Sequence, residues 1–149
     1  MTALADALLR QARLISDERD YRMLRLPPQA ITLAAGVLAE LGQAFAALIV
    51  DKDEVTLILP EEAISFFDSR LRRAAVSEQT YRLITLDVQL DPDLVGFIAR
   101  IAEILAAEGI PLLSVAAYSR DHILVPAQDF DKAMQALHQY QKESVTAWK

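Results

Sequence analysis

Several residue types that support particular chemistries are scarce or absent in this sequence. It contains no cysteine, which excludes disulfide bonds, thiolate nucleophiles and cysteine-based metal sites. It has only four glycines, none of them clustered, so a glycine-rich loop that holds phosphate is not expected. The G-x-S-x-G motif of serine hydrolases is missing as well, and neither histidine has an evident serine partner in its sequence context. We therefore expect no catalytic residues and no cofactor.

Long apolar runs are also missing. Runs such as Ala44–Val50 fall far short of the roughly 18 residues that a membrane span needs. Asp6, Arg10 and Arg13 interrupt the N-terminal region, which therefore does not resemble a secretory signal. We expect a cytoplasmic protein that does not associate with membranes.

Positive charge is in the minority. Lysine and arginine together number 15 against 21 aspartates and glutamates, which gives a net charge of −6. A nucleic-acid partner would require a clustered basic face. The only dense basic cluster, Arg70–Arg73, has no interleaved aromatic residues and is more typical of the solvated face of a helix. We expect no nucleic-acid partner.

Apolar residues, in contrast, are abundant, and two groups of them recur in the same order. They make up 53% of the 149 residues, enough for a core. Tyr21–Leu26 and Tyr81–Leu86 both begin with Tyr-Arg and continue with a matching apolar pattern. Val55–Pro60 and Asp121–Pro126 are both strand-like runs that end in proline. The sequence therefore predicts two related halves with the order β-α-β-β-α.

The second half has the clearer pattern. Alternation predicts a strand over Tyr81–Leu90, and apolar residues at three- and four-residue spacing predict a helix that begins near Asp93 and ends at Gly109. Asp91 or Asp93 is the expected N-cap of this helix. Further predicted elements are a strand over Leu112–Tyr118, a Ser119-Arg120 turn, a strand over His122–Val125, and a last helix capped by Asp129.

The first half follows the same order less cleanly. Its predicted elements are a strand over Tyr21–Leu26, a helix from Pro28 to about Leu41, strands over Phe45–Val50 and Val55–Leu59, and a helix from Glu61 to about Val76. An amphipathic helix over Ala3–Ile15 precedes them. We therefore predict an N-terminal helix in residues 1–18, a first subdomain in 19–79 and a second in 80–149. The predicted fold class is α+β, with antiparallel sheets covered by helices on one face.

The segments Leu90–Ala99, Glu108–Val115 and Ala117–Pro126 resemble the ACT domain. More narrowly, they are similar to the ACT subgroup of CASTOR-type amino-acid sensors and small bacterial tandem-ACT proteins. Gly96–Ala99 occupies the glycine segment of that subgroup, and Ala117–Pro126 occupies its closing hairpin. The resemblance implies two ferredoxin-like βαββαβ subdomains side by side, and the first half matches only by architecture. The family often has Ser or Thr at the position of Ala117 and a small or polar residue at Val95.

The resemblance also implies a function. ACT domains are regulatory modules that bind amino acids near the loop from the first strand to the first helix, between two ACT units. Carried onto this sequence, the implied ligand-binding residues are Leu94, Val95, Gly96, Ile98, Ala117, Tyr118 and Asp121. The implied partners are an amino acid, a protein that receives the signal, and a second copy of the chain in a homodimer.

The chemistry of these residues fits an amino acid independently of the resemblance. The N-terminus of the predicted helix offers unpaired N–H groups to a carboxylate, and Gly96 leaves room for close approach. Asp121 can balance an ammonium group, and Tyr118 can form a wall of the site. Asp91 and Asp93 carry negative charge nearby, so their side chains must point away or cap the helix.

Simpler interpretations exist for the same residues. Gly96 can serve helix packing alone, and Asp121 can stabilise its turn. His122 has no second ligand at metal-binding spacing, so we expect no metal site. For the whole chain, the alternatives are a structural dimerisation module that has lost its ligand and, less in keeping with the sequence, a small enzyme on the same scaffold.

Overall fold

The computed structural model describes residues 3–143, so Met1, Thr2 and residues 144–149 of the predicted segments 1–18 and 80–149 lie outside the described residues. In chain order the elements are α1 (Ala3–Gln11), β1 (Arg13–Ile15), β2 (Asp20–Leu26), α2 (Ile31–Glu40), β3 (Ala47–Val50), β4 (Val55–Pro60), α3 (Glu61–Phe66), β5 (Ala75–Val76), β6 (Tyr81–Asp87), α4 (Phe97–Ala107), β7 (Leu113–Ala116), β8 (Asp121–Pro126) and α5 (Phe130–Lys142). The predicted α+β class is confirmed.

Two compact units divide the chain. One is continuous and comprises Arg19–Tyr81; we call it the inserted unit. The other, which we call the split unit, combines the residues up to Glu18 with those from Arg82 onward. The segment predicted as an N-terminal helix therefore groups with the far end of the chain, across the whole inserted unit.

The inserted unit contains the element order β-α-β-β-α-β. Its strands lie in the order β3-β4-β2-β5, and all three pairings are antiparallel. Alternate residues of β2 and β4 point to one face, where they meet α2 and the segment after α3. This core consists of Leu24, Leu26, Ala34, Val37, Val55, Leu57, Leu59, Ala63, Phe67 and Leu71, all buried. Period-two alternation of apolar residues is thus the reason these strands cover a core on one side.

The split unit has the same strand arrangement but obtains one strand from a distant part of the sequence. Its strands lie in the order β1-β6-β8-β7. β1 pairs antiparallel with β6, with Leu14 opposite Leu86, and β7 pairs antiparallel with β8. In the inserted unit, the strand beside β2 is β5, which follows the second helix. In the split unit, the corresponding place beside β6 is occupied by β1, which precedes the inserted unit.

Helix α1 is part of the core of the split unit. Ala5 and Leu9 are almost completely buried, together with residues of α4, α5, β6 and β8: Ile84, Leu86, Phe97, Ile101, Leu105, Ile123, Val125, Ala133, Leu137 and Tyr140. Each large apolar side chain buried in this way contributes about 1.5–3 kcal/mol relative to exposure. Removal of α1 would expose apolar surface of α4 and α5.

Polar contacts add specificity to the packing of α1. Arg100 Nε and Tyr140 Oη, from α4 and α5, each donate a hydrogen bond to Asp6 Oδ1 at 2.9 Å. The Arg10 guanidinium lies 4.4 Å from the centre of the Tyr140 ring. The hydrogen bond from Arg100 is the main reason that the pKa of Asp6 lies below its ordinary value. Asp6 therefore joins three helices through one carboxylate.

The C-terminal ends of α1 and α5 cap one another. Gln141 Nε2 donates to the carbonyls of Leu9 and Ala12 at 2.8 and 2.7 Å. In the opposite direction, Arg10 Nη1 donates to the carbonyls of Tyr140, at 2.7 Å, and of Glu143. The last carbonyls of a helix have no partner within it, and here each helix supplies a donor to the other.

Two helix predictions are too long. The helix predicted over Ala3–Ile15 ends at Gln11, because Arg13–Ile15 pairs with β6 instead. The helix predicted from Glu61 to Val76 ends at Phe66, and the chain continues in turns to β5. Those turns still bury Phe67 and Leu71, so the apolar spacing that predicted a longer helix is satisfied without one. Among residues 3–143, no helix combines the length and hydropathy of a membrane span.

The contacts of Asp6 lead to a pH-dependent prediction. The folded pKa of Asp6 lies below 3.8, so its contribution to stability is present above pH 3.8 and is lost as the pH falls through the folded value. Asp6→Asn is expected to lower the free energy of unfolding at pH 7 by about 1.5–3 kcal/mol, the usual value of hydrogen bonds to a charged group. Urea denaturation at pH 7 and pH 3 measures this difference.

Asp68→Asn is the matched control, because Asp68 is exposed in the inserted unit. It is expected to change stability by less than about 0.5 kcal/mol at either pH. A loss of stability in Asp6→Asn that does not shrink between pH 7 and pH 3 would contradict the assignment.

Candidate functional site

A cleft of about 310 Å³ lies within the split unit, near the lower limit of the volumes typical of ligand sites. It is enclosed by the loop that follows β6, by the start of α4, and by the turn between β7 and β8. These three segments are local neighbours because β6 and β8 are adjacent strands and α4 follows β6.

The loop after β6 begins earlier than predicted. The strand predicted to Leu90 ends at Asp87, and the Val88 N–H turns back to the Leu86 carbonyl at 2.9 Å. The Leu90 N–H then donates to the carbonyl of Ser119 in the opposite turn, at 2.7 Å. This hydrogen bond ties one wall of the cleft to the other.

Helix α4 begins later than predicted, and glycine is the reason. Its N-cap is Gly96, whose φ of 96° lies in the left-handed region that side chains other than glycine rarely adopt. The sequence predicted Asp91 or Asp93 as the N-cap, but neither residue caps the helix. Instead, Asp91 Oδ1 accepts the Asp93 N–H at 3.0 Å and closes a turn within the loop.

The first turn of α4 is open at the cleft. The Arg100 N–H donates to the Gly96 carbonyl at 3.0 Å and closes the first hydrogen bond of the helix. The N–H groups of Phe97, Ile98 and Ala99 come before it and have no carbonyl partner within the helix. They lie at the positive end of the helix dipole, which favours an anion such as a carboxylate.

The hairpin turn spans four residues rather than two. The Ala117 N–H donates to the Arg120 carbonyl at 3.0 Å, so the strand predicted to Tyr118 ends at Ala116. Tyr118 stands at the tip of the turn with 96% of its surface exposed. It contributes to the lining of the cleft but packs against no core residue there.

Asp121 is the acidic group of the hairpin wall. It is partly buried at the start of β8, and burial raises its pKa above the ordinary value, against the smaller opposing effect of His122. No hydrogen bond or ion pair to its carboxylate is found among residues 3–143. The neighbouring Arg120 instead pairs with Asp87 at 2.9 Å. Within residues 3–143, the Asp121 carboxylate is thus partly desolvated without a hydrogen-bond or ion-pair partner.

His122 has a structural partner. Its Nδ1 lies 2.9 Å from Thr85 Oγ1 of the adjacent strand β6. Burial, followed by the charge of Arg120, lowers the pKa of the imidazole, so His122 is neutral at pH 7. Within residues 3–143, no group of three or more histidines, aspartates and glutamates is arranged to hold a metal ion.

The cleft brings together most of the residues implied for ligand binding. Six of the seven line it: Leu94, Gly96, Ile98, Ala117, Tyr118 and Asp121. Val95 does not line it and is 68% exposed. Sequence reasoning omitted Leu90, Pro92 and Arg120, which also line the cleft. In the sequence, only their positions within the predicted loop and turn indicated that they could be part of the site.

The corresponding place in the inserted unit has a depression of about 480 Å³, lined by the end of β2 and the turn between β3 and β4, but the start of α2 is not among its lining residues. Only four residues separate β2 from α2, and three of them, Pro28–Ala30, form a 3₁₀ turn. Pro28 has no N–H to offer, and the N-cap of α2 is Ala30, with a φ of −85°. The start of α2 is therefore preceded by a 3₁₀ turn rather than by a glycine in the left-handed region.

Two other depressions are less suited to a polar ligand. A wide one of about 890 Å³ is lined by residues of a single helix, α5, and forms an open surface. Another of about 370 Å³ in the inserted unit is lined by Phe66 and Phe67, and Arg19 and Glu62 at its edge already pair with each other at 2.8 Å. The cleft of the split unit, in contrast, combines the start of α4 with the carboxylate of Asp121.

The conformation of Gly96 can be tested against a second glycine. Gly96→Ala is expected to lower the free energy of unfolding by about 1–2 kcal/mol, because the left-handed region is unfavourable for alanine. Gly36→Ala is expected to raise it by up to about 1 kcal/mol, since Gly36 lies inside α2 with open space at its Cβ position. Thermal and urea denaturation of both variants measure the two changes in the free energy of unfolding. Equal effects of the two substitutions would contradict this assignment.

Comparison with solved structures places the whole fold among known proteins. A Vibrio cholerae protein of unknown function, described as a possible transport protein, is 25% identical, with a TM-score of 0.72 over 92% of this chain and 95% of that one. An Agrobacterium tumefaciens protein is 18% identical, with a TM-score of 0.69 over 87% and 89%. The regulatory subunit of aspartate kinase from Thermus thermophilus, in a ligand-free form, is 16% identical, with a TM-score of 0.62 over 85% and 95%.

The sequence was also compared with curated proteins and with family models. No curated protein sequence gives a significant match. A family model does match, over a range that contains the entire cleft. Residues 76–139 match the ACT domain family, and the chain shares the ferredoxin-like α+β fold of aspartate kinase regulatory subunits.

Proposed function

We propose that this protein is a non-catalytic regulatory module that binds a free amino acid in the cleft of the split unit. The match of residues 76–139 to the ACT domain supports a regulatory module, as does the shared fold with a regulatory subunit of aspartate kinase. In this proposal the chain is a tandem-ACT protein of the CASTOR-like group, with subdomains in residues 19–79 and 80–149.

The polar groups of the cleft suit the two charges of an amino acid. The α-carboxylate would accept hydrogen bonds from the open N–H groups of Phe97 and Ile98 at the start of α4. The α-ammonium would pair with the carboxylate of Asp121 on the opposite wall. Gly96 has no side chain that could obstruct the approach of the ligand carboxylate to the N–H groups of Phe97 and Ile98.

Asp121 is the observation that carries the proposal. Partial burial disfavours its charged form, which the direction of its pKa shift reflects. A carboxylate that costs stability and has no internal partner is typical of a binding site rather than of a stabilising turn. A ligand ammonium would supply the missing partner.

The neighbouring charges are arranged so that they do not compete. Asp91 uses one carboxylate oxygen to accept the Asp93 N–H, which keeps it in the loop turn. Arg120 is held by Asp87, which also pairs with Arg13 of β1 at 2.9 Å. Asp91 and Arg120 both line the cleft, but each is engaged in its own contact there.

Regulation would follow from ligand-dependent stabilisation of the cleft. A ligand that binds both walls favours conformations in which the loop after β6 and the hairpin are closed on each other. In this proposal the protein acts in the cytoplasm as a homodimer and passes the signal to a protein partner.

Thermal-shift measurements with each of the twenty amino acids test the proposed function. A ligand at 100 times its Kd is expected to add about 2.7 kcal/mol of stability. Asp121→Asn is expected to abolish that gain without lowering the stability of the ligand-free protein, because it removes a desolvated charge that has no partner. Asp68→Asn, an exposed position in the inserted unit, is expected to leave the gain intact.

Absence of any stabilisation by the twenty amino acids would overturn the proposed function. It would favour the alternative of a structural dimerisation module, in keeping with the missing hydroxyl groups at Val95 and Ala117. Turnover of an amino acid, in contrast, would indicate an enzyme.

Binding is also expected to depend on pH. The pKa of Asp121 is raised above 3.8 by burial, so protonation removes the partner of the ammonium group while the pH is still above 3.8. Affinity is therefore expected to fall as the pH is lowered from 7 through the folded pKa of Asp121. Isothermal titration calorimetry measures this trend, and circular dichroism at each pH checks that the protein stays folded. An affinity that stays constant down to pH 3.8 would contradict the role of Asp121.

A further inference from the structure

We propose that the cleft selects a neutral amino acid with a large apolar side chain, aliphatic or aromatic, over charged amino acids. This inference rests on the proposed function, since it concerns the ligand of the same site. Two observations support it: the apolar surface at the mouth of the cleft, and the charges of the residues that line it.

The mouth of the cleft exposes apolar side chains that no element of the split unit covers. Tyr118 is 96% exposed and Ile98 is 36% exposed, and both line the cleft. Large apolar groups gathered at one place on a surface commonly mark a binding site. Here they surround a cavity whose volume matches a small molecule, so a ligand side chain is the fitting occupant.

The inner wall continues this apolar surface. Leu90 and Leu94 are partly buried and pack against the core of the split unit, and both line the cleft. Ala117 supplies the wall of the hairpin with a methyl group. The side chain of a bound amino acid would extend away from the groups that bind its carboxylate and ammonium. It would therefore contact apolar side chains from both walls.

The charges at the cleft oppose an acidic side chain. Asp91 and Asp121 both line it. The only cation among its lining residues is Arg120, which is already paired with Asp87. A second carboxylate on the ligand would face two carboxylates without a free cation to neutralise it.

A basic side chain gains little in the same site. Once Asp121 has paired with the ammonium group, Asp91 is the remaining acidic partner. Asp91 is exposed to solvent and already accepts the Asp93 N–H. Ion pairs with exposed carboxylates contribute little to affinity, whereas transfer of an apolar side chain from water onto an apolar surface is consistently favourable.

Calorimetric titration with several amino acids tests the proposed preference for apolar side chains. Because these ligands share the same carboxylate and ammonium groups, differences in affinity report on the side chain. Glycine reports the polar part of the site alone. Leucine and phenylalanine are expected to bind at least about tenfold more tightly than glycine, in line with the discrimination that apolar pockets achieve. Glutamate is expected to bind more weakly than glycine, and lysine to gain less than threefold over glycine.

Tyr118→Ala tests whether Tyr118 contributes to the preference for apolar side chains. Because Tyr118 is almost fully exposed, its removal should not impair folding. It is expected to weaken phenylalanine binding by about tenfold and to leave glycine binding unchanged. The matched control is Phe66→Ala, which removes an aromatic ring that is 80% exposed in the inserted unit and should alter neither affinity.

The outcomes separate this inference from the proposed function. If no amino acid binds, the proposed function fails and the inference fails with it. If amino acids bind but glycine binds as tightly as leucine and phenylalanine, or if lysine or glutamate binds most tightly, the proposed function stands and the selection is wrong. An equal loss of glycine and phenylalanine binding in Tyr118→Ala also overturns the selection.

Discussion

The pairing of β1 with β6 is the contact on which the split unit depends. It joins two pieces of chain that the whole inserted unit separates in sequence. Burial of Ala5 and Leu9, and the hydrogen bonds of Asp6, fix α1 beside the same pairing. Asp87, at the end of β6, extends this framework to the cleft because it pairs both with Arg13 of β1 and with Arg120 of the hairpin. The walls of the cleft are thus supported by residues far away in sequence.

Within that framework, the cleft combines features that a purely structural loop would not need. A left-handed glycine starts α4 and leaves its first N–H groups open. Asp121 is desolvated and lacks an internal partner among the described residues. At the corresponding place in the inserted unit, α2 is preceded by a 3₁₀ turn that begins at Pro28, and its N-cap is Ala30. Two units with the same strand arrangement therefore differ in how the first helix begins.

Much of this arrangement follows from local patterns in the sequence. The strands predicted from the repeated segments agree with β2, β4 and β8 to within a residue at each end, and helical spacing together with Gly109 predicted the end of α4. The start of α4 was misjudged because Asp91 and Asp93 are good N-caps by type, whereas the backbone of Gly96 decides where the helix begins. β1 was missed because three residues show no periodicity and pair with a strand about 70 residues away. Of the candidate site, the loop and the hairpin could be located from the sequence, but the exposure of Tyr118 and the pairing of Arg120 depend on tertiary contacts.

The split of one unit across the chain also bears on how the protein is made on the ribosome. Residues Arg19–Tyr81 contain β2, β3, β4 and β5 together with their helices, and can assemble as soon as they emerge. Helix α1 and β1 are synthesised earlier, yet their partners β6, α4 and α5 emerge only afterwards. Closing so long a loop has an entropic cost that grows slowly with its length. Assembly of the inserted unit reduces the length of flexible chain between β1 and β6, so its early formation would speed completion of the split unit.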